Sequence, residues 1–434
     1  MKKTYKFTTN IWKFQKKVVI LYVFLQIYVN LFMYIYFFAV WIASLFGHRK
    51  ARELYRGQRS SLARLRDYLR TMKGNSERIW IHVASVGEFE QARPIIERLR
   101  EHRPNVQIVL TFFSPSGYNL RKDYDKVDIV TYLPFATRRN ARQFLDVVRP
   151  SKAIFVKYEF WPAYLGELKK RNIPAYSVSA IFRPKQAFFR WWGRPYLRLL
   201  KAFKAIYVQD NRSAELLRKH GIDHVSVAGD TRFDRVHAIA QQTKQIPQLE
   251  RFVEGREKVI IAGSTWEPDE RLLARYIETH PDVALVLAPH EIHEAHMHRI
   301  FQLFEGRYVR FTEATTKNLD VVRVLVIDTM GMLSSIYRYG NIAYIGGGFG
   351  VGIHNTIEAA VFGMPVIFGP NYKHFREACA LVDAGGGFSV RNYKELERLL
   401  DLSADEHKQQ GAQAGAYVQS ELGATERIYN QLFK

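Results

Sequence analysis

The sequence predicts an α/β protein of two doubly wound domains, each a parallel sheet with helices on both faces. Three observations carry that prediction. Short apolar runs alternate with helix-patterned stretches along most of the chain, as repeated strand–helix–strand units require. A polar, proline-containing stretch at 229–247 interrupts the alternation and reads as a hinge. Beyond it, four apolar runs each stop at a turn of glycine, hydroxyl or imidazole residues, so four strands deliver loops to one sheet edge. At 434 residues the chain has room for two such domains and additional segments.

Charge narrows the partners. Lys and Arg number 64 against 42 Asp and Glu, a net +22 that suits an anionic surface or a phosphorylated substrate. No paired Cys/His zinc spacing and no aromatic RNA-binding strand accompanies it, which favours a membrane surface over nucleic acid. The single cysteine, Cys379, excludes an intrachain disulfide; its helix-patterned surroundings, EACALVDA, make it a small core residue.

Residues 18–47 contain no charge and are rich in aromatics, long and apolar enough to cross a bilayer as a helix. No small-residue cleavage site follows, so residues 1–48 are read as a retained membrane anchor, spanning or lying in the interface. Residues 49–76 are basic and helical in pattern, a juxtamembrane linker.

In the first domain, strands are expected at 78–84, 106–112, 129–133, 153–156, 175–179, 205–208 and 225–228. Glu88 sits in the Ser-Val-Gly-Glu turn directly after the first of them, and Glu159, in KYEFWPAY, follows the fourth. Both positions lie at the carboxyl edge of the sheet, where a carboxylate can take a proton from an attacking hydroxyl. Each glutamate equally suits a helix first turn on dipole grounds. A basic, aromatic strip at 181–204 reads either as a membrane-touching surface, with Trp191 and Trp192 exposed, or as rings turned to the core and cations to water.

In the second domain, the strand 258–262 meets a small-residue turn, Gly263-Ser264-Thr265, before a helix, an anion-site pattern. Strand 283–288 ends at Pro289-His290, strand 321–327 at Asp328-Thr329-Met330-Gly331-Met332, and strand 342–345 at three glycines. The stretch 346–370, GGGFGVGIHNTIEAAVFGMPVIFGP, then reads as Gly-rich turn, short helix and strand. Asn355 and Glu358, three apart, fall on one face at the helix start, where a carboxylate can grip vicinal sugar hydroxyls. The dinucleotide spacing G-x-G-x-x-G is out of register, which disfavours a nicotinamide or flavin site. The histidine-rich PHEIHEAHMH lacks HExxH and cysteine partners, and a solvated helix face is favoured over a metal site.

Taken in order, HVASVGEFEQARP (82–94), KYEFWP (157–162), GDTRFD (229–234), GSTWEPDE (263–270), DTMGML (328–333) and GIHNTIEAAVFGMPVIFGP (352–370) resemble the 3-deoxy-D-manno-octulosonic acid (Kdo) transferases of lipopolysaccharide synthesis. The resemblance runs from the anchor to about residue 425. It implies a GT-B fold, two Rossmann-like domains facing a cleft behind an amino-terminal membrane-anchor helix. The acceptor domain would span 49–235, and the CMP-sugar domain 236–434, its last helix returning to the first domain. It implies a cell inner membrane enzyme, catalytic domains on the cytoplasmic side, that moves Kdo from CMP-Kdo to a lipid A precursor (lipid IVA) with inversion and without a metal. By resemblance Glu88 is the catalytic base and Glu159 a second acid near the acceptor. Donor contacts fall on Ser264, Thr265, Pro289, His290, Met330, Gly331, Met332, Asn355, Thr356, Ile357 and Glu358. Two departures stand out. His290 occupies the place of an arginine in the family's Pro-Arg-His, leaving His290 or Arg232 to meet the phosphate. Met332 replaces the carboxylate of the family's Met-Gly-Glu, so that only a backbone contact survives there. Two rivals remain: a membrane-associated GT-B enzyme using a UDP-sugar donor, and a non-catalytic lipid-binding protein.

Overall fold

The structure, a computed structural model, describes residues 34–71, 76–190, 193–242, 245–350 and 352–434. Contacts divide the chain into two units. One contains the described residues up to Arg232 together with Gly423–Lys434; the other is Phe233–Leu422.

The first unit is built on a sheet of seven strands among its described residues: β1 (Arg78–Val83), β2 (Gln107–Phe112), β3 (Ile129–Tyr132), β4 (Lys152–Val156), β5 (Ala175–Ala180), β6 (Ala205–Val208) and β7 (Val225–Val227). They pair in the order β3-β2-β1-β4-β5-β6-β7, every pair parallel. Ile81 lies opposite Leu110 on one side and Ile154 on the other. Alternate residues enter separate cores: Trp80, Val109 and Phe155 in one, Ile79, Ile81 and Leu110 in the other. Both faces are therefore buried, so these strands read in sequence as unbroken apolar runs.

Helix Arg49–Thr71 is not the expected linker. It packs on helix Arg138–Val148 and on β3, burying Leu54, Gly57, Ser61 and Leu65. Those residues, three or four apart, form the apolar stripe, and the many arginines around it face water. Of the expected anchor at 1–48, residues 1–33 lie outside the described residues. Residues 34–45 are helical: the Phe37 ring packs 4.3 Å from Phe135, while Ile35, Phe38, Leu45 and the following Phe46 are more than half exposed. Among the described residues no helix is long and apolar enough to cross a membrane.

The terminal helix Ala424–Phe433 belongs to the first unit and packs on helix Val86–His102. Ile428, Tyr429 and Leu432 enter the Ile81 core, Arg98 pairs with Glu426 at 2.9 Å, and Lys152 Nζ donates to the Leu432 carbonyl at 2.6 Å.

The second unit repeats the plan with β8 (Lys258–Thr265), β9 (Val283–Pro289), β10 (Tyr308–Arg310), β11 (Val324–Val326), β12 (Ile342–Ile345), β13 (Val366–Phe368) and β14 (Gly387–Ser389). The order is β10-β11-β9-β8-β12-β13-β14, again all parallel. The predicted turn at 263–265 is instead the end of β8. Its register against β9 shifts between Gly263 and Thr265, and Ser264 sits at φ 54, so a bulge absorbs what looked like a strand end. The run expected at 321–327 pairs only over Val324–Val326, with Val321 79% exposed.

The terminal helix supplies a test. Ile428→Ala should lower the unfolding free energy of the first unit by about 2–5 kcal/mol, because Ile428 is fully buried. Urea denaturation followed by tryptophan fluorescence and circular dichroism measures it; an unchanged first transition would mean the helix contributes no core.

Candidate active site

Each sheet has one place where successive connections leave in opposite directions, and loops on its two sides part there to leave a crevice at the carboxyl edge. In the first unit this is between β1 and β4; in the second it is between β8 and β12. Glu88 follows β1 and Glu159 follows β4, so the two carboxylates flank the first switch point. The turn at Ser264 and the glycines from Gly346 flank the second.

Ser85 caps helix Val86–His102, accepting from the Glu88 N–H, and Glu88 Oε2 in turn accepts from the Ala84 N–H at 2.5 Å. The capping role and the carboxyl-edge position thus coincide in one residue. Burial, with the charge of Glu159 second, pushes the Glu88 carboxyl up to about 7; the Ala84 and Ser85 N–H groups and Lys157 pull the other way. That value suits a group that must accept a proton near neutral pH. Lys157 sits at φ 57, a left-handed turn that carries the chain out of β4 toward Glu159. Glu159 Oε2 receives the Trp161 indole N–H at 2.7 Å and lies 3.2 Å from Nε2 of the buried His82.

On the second sheet the glycine turn is clamped. The N–H groups of Trp266 and Gly347 each lie 2.9 Å from Asp269 Oδ2, and the Tyr344 hydroxyl donates to Oδ1 at 2.8 Å. A side chain at Gly346 would collide with the Ser264 carbonyl, and Gly347 adopts φ 90, so the two loops meet only because both positions are glycine. Beyond the turn, Asn355 Nδ2 donates to Glu358 Oε1 at 2.7 Å and Asn355 Oδ1 accepts from the Ile357 N–H. The residues expected on one face do meet. Thr356 and Ile357 are buried beneath them.

His290, at the end of β9, stacks between Trp266 and His354 with ring centroids 4.8 and 4.3 Å away. Burial, with His290 second, lowers His354 to about 4. Pro289 closes β9 and Thr265, fully buried, donates to Glu270 at 3.0 Å. Met330 is 71% exposed, Gly331 has φ 85, and the Met332 sulfur accepts from the Thr329 hydroxyl. Arg232 is bound to the buried Asp230 at 2.7 Å.

Other expectations resolve differently. Phe188 and Phe189 of the basic strip pack against the first unit's core while Lys185, Arg190 and Arg198 face water, the core-facing arrangement; Trp191 and Trp192 lie outside the described residues. Cys379 is in a helix as expected but only half-buried, so it is not a core residue. His293 caps helix Glu294–Leu303, and His296 lies 3.0 Å from the buried Glu270. Sequence reasoning passed over Asp269, His82 and the Trp266–His290–His354 stack. The available signal for Asp269 was a carboxylate three residues into a helix that follows a strand; His82 gave none, standing inside an apolar run.

Residues 57–235 match the family described as 3-Deoxy-D-manno-octulosonic-acid transferase (kdotransferase). The 3-deoxy-D-manno-octulosonic acid transferase of Aquifex aeolicus is 28% identical over 336 residues, covering 75% of this chain and 86% of that protein. That of Haemophilus influenzae is 26% identical over 370 residues, 82% and 86% of the two chains. Among solved structures, the UDP-GlcNAc 2-epimerase of Neisseria meningitidis bound to UDP-GlcNAc aligns with a TM-score of 0.59 at 16% identity, covering 82% of this chain and 99% of that one. A glycosyltransferase from Rickettsia africae gives 0.55 at 15%, covering 83% and 100%. The structural likenesses are of fold. The sequence matches identify the chain as a homologue of the Kdo transferases, and hence as a glycosyltransferase.

Proposed function

We propose that the chain is an inverting Kdo transferase that uses CMP-Kdo as donor and a lipid A precursor (lipid IVA) as acceptor in lipopolysaccharide core synthesis. The observation that carries the proposal is Glu88: a half-buried carboxylate at the β1–β4 switch point, pushed up to about 7, in a chain related to Kdo transferases. Glu88 takes the proton of an acceptor hydroxyl as its oxygen bonds to the anomeric carbon of Kdo. The bond from that carbon to the phosphate oxygen breaks, and CMP leaves with the electron pair. Glu159 orients the acceptor. On the second unit, Glu358 and Asn355 hold the ribose hydroxyls, and the β8 and β12 turns with His290 receive the phosphate. No metal is assigned a part: His296 is engaged with Glu270, and His293 caps a helix.

The enzyme is further proposed to work at the cytoplasmic side of the cell inner membrane. Helix 34–45 presents exposed Ile35, Phe38 and Leu45, and the exposed cations Arg49 and Lys50 follow directly, a pairing suited to acyl chains beside lipid phosphates.

Three outcomes follow. Glu88→Ala should lower transfer from CMP-Kdo to lipid IVA by about a hundredfold or more while CMP still binds; near-normal turnover would remove the base assignment. Since the base works deprotonated, kcat/KM should climb with pH and level off above about 7, read from a pH–rate profile. Glu358→Ala should weaken CMP binding by about tenfold or more in calorimetric titration, as loss of a charged hydrogen bond. A donor panel of CMP-Kdo and UDP-sugars, with the lipid product weighed by mass spectrometry, separates this reading from a UDP-sugar transferase.

A further inference from the structure

His82 lies in the middle of the first unit's sheet, at the penultimate position of β1, and has no exposed surface. A buried imidazole on a central strand must have both nitrogens satisfied. Nδ1 faces Thr111 of β2, 2.8 Å from its hydroxyl and 3.1 Å from its carbonyl oxygen. Nε2 faces Glu159 Oε2 at 3.2 Å and the Trp161 indole nitrogen at 3.0 Å. The indole carries a single hydrogen and lies closer to Glu159, at 2.7 Å. With a bare Nε2, two lone pairs would compete for that hydrogen while facing one another at 3.2 Å. With a hydrogen on Nε2, imidazole and indole both donate to the carboxylate and no acceptor is left facing an acceptor.

Thr111 satisfies the other nitrogen: its hydroxyl can donate to a bare Nδ1 while the ring keeps its Nε2–H on Glu159. The Thr111 hydroxyl is itself held by the Trp80 indole at 2.8 Å. The remaining surroundings of the ring are apolar: Phe155 of β4 at 6.0 Å and Trp80 at 6.4 Å between centroids. Glu159 is therefore the one acidic group in hydrogen-bond contact with His82 among the described residues.

We propose that His82 is the positioning residue of the two-carboxylate site: its Nε2–H fixes Glu159 and offsets the charge that Glu159 would otherwise press upon Glu88. The groups acting on Glu88 are Glu159, Lys157 and the Ala84 and Ser85 N–H groups, and Glu159 is the only like charge among them. Removing the Nε2 donor leaves Glu159 as a less compensated carboxylate in the same partly buried pocket. Glu88 must then bind its proton more tightly, and a base that holds its proton more tightly is active only at higher pH. His82 does not touch Glu88 and is itself fully buried behind Glu159, so it acts through Glu159, the carboxylate proposed to orient the acceptor.

The inference deepens the proposed role of Glu88, and the test is arranged so that the two can fail separately. In the full chain labelled with 13C at glutamate side-chain carboxyls, the Glu88 resonance, assigned by its loss in Glu88→Gln, is titrated in the parent, in His82→Asn and in His82→Asn/Glu159→Gln. Asparagine can still reach Thr111 but is too short to serve Glu159. The expected result is proton affinity at Glu88 raised by about threefold or more in His82→Asn and returned to at or below the parent value in the double variant, with the acid limb of kcat/KM moving in the same direction. An unchanged Glu88 titration in a folded His82→Asn protein, or a rise that persists in the double variant, overturns the proposal. A titration that moves while the rate profile does not would uphold His82's influence and refute Glu88 as the base. If His82→Asn fails to fold, 15N spectra of the ring in the parent decide: a protonated Nε2 supports the proposal, and a bare Nε2 across the pH range overturns it.

Discussion

A parallel sheet wound in both directions from its centre has one gap that its own connections cannot cover, and that constraint places the chemistry of each unit. Between β1 and β4, and again between β8 and β12, the following loops depart to opposite sides. Strand burial on both faces keeps the polar side chains within the sheet, such as His82 and Thr111, away from solvent, so the groups able to reach a ligand collect where strands end. Glu88, Glu159, Ser264 and the glycines from Gly346 all occupy such ends. What differs between the two gaps is the chemistry installed: carboxylates in the first, backbone N–H groups and aromatic rings in the second.

Holding a carboxylate near a second carboxylate is unfavourable unless neighbours share the charge, and the structure meets this with buried donors behind the surface. His82 and Trp161 stand behind Glu159. The second unit uses the same device twice. Asp269 accepts from two backbone N–H groups and the Tyr344 hydroxyl, which ties the glycine turn to a helix start. His296 donates from Nδ1 to the Glu291 carbonyl at 2.8 Å and contacts Glu270 through Nε2 at 3.0 Å, while Glu270 also accepts from Thr265. A buried network satisfied at every member fixes its geometry, whereas one missing donor would leave a desolvated charge. The loops are thus set from below by residues that need never touch a ligand.

The parts legible in the sequence are those where burial writes a long signal. Strands such as Ile342–Ile345 and Ala205–Val208 emerge as apolar runs because both faces are covered. The loops after them emerge as glycines and hydroxyls, and Glu88 and Glu159 are visible because they stand at those junctions. Short edge strands are not: β10 and β14 have three residues each, too few for a pattern. Helix Arg49–Thr71 is disguised by its arginines, since only a narrow stripe of Leu54, Ser61 and Leu65 reaches the core. Cys379 misleads for the opposite reason, an apolar context on a helix whose buried positions are Glu377, Ala378 and Leu381. His82 is hidden most completely, because its role depends on Thr111 and Glu159, which are 29 and 77 residues distant.

The stack of Trp266, His290 and His354 sets what the proposed donor site could offer a phosphate in place of an arginine. A guanidinium carries its charge at any pH and offers a fork of donors to a phosphate. Two imidazoles 4.3 Å apart cannot both carry charge without strong repulsion, and burial holds His354 at about 4, neutral at physiological pH. The neutral His354 ring can accept or donate but contributes no field, and the Trp266 indole N–H already points toward its Nε2 at 3.4 Å. A site arranged in this way leans on oriented N–H groups more than on net charge. That fits the effort the second unit devotes to clamping its glycine turn through Asp269, because dipoles stabilise an anion such as the proposed leaving phosphate only when their direction is fixed beforehand.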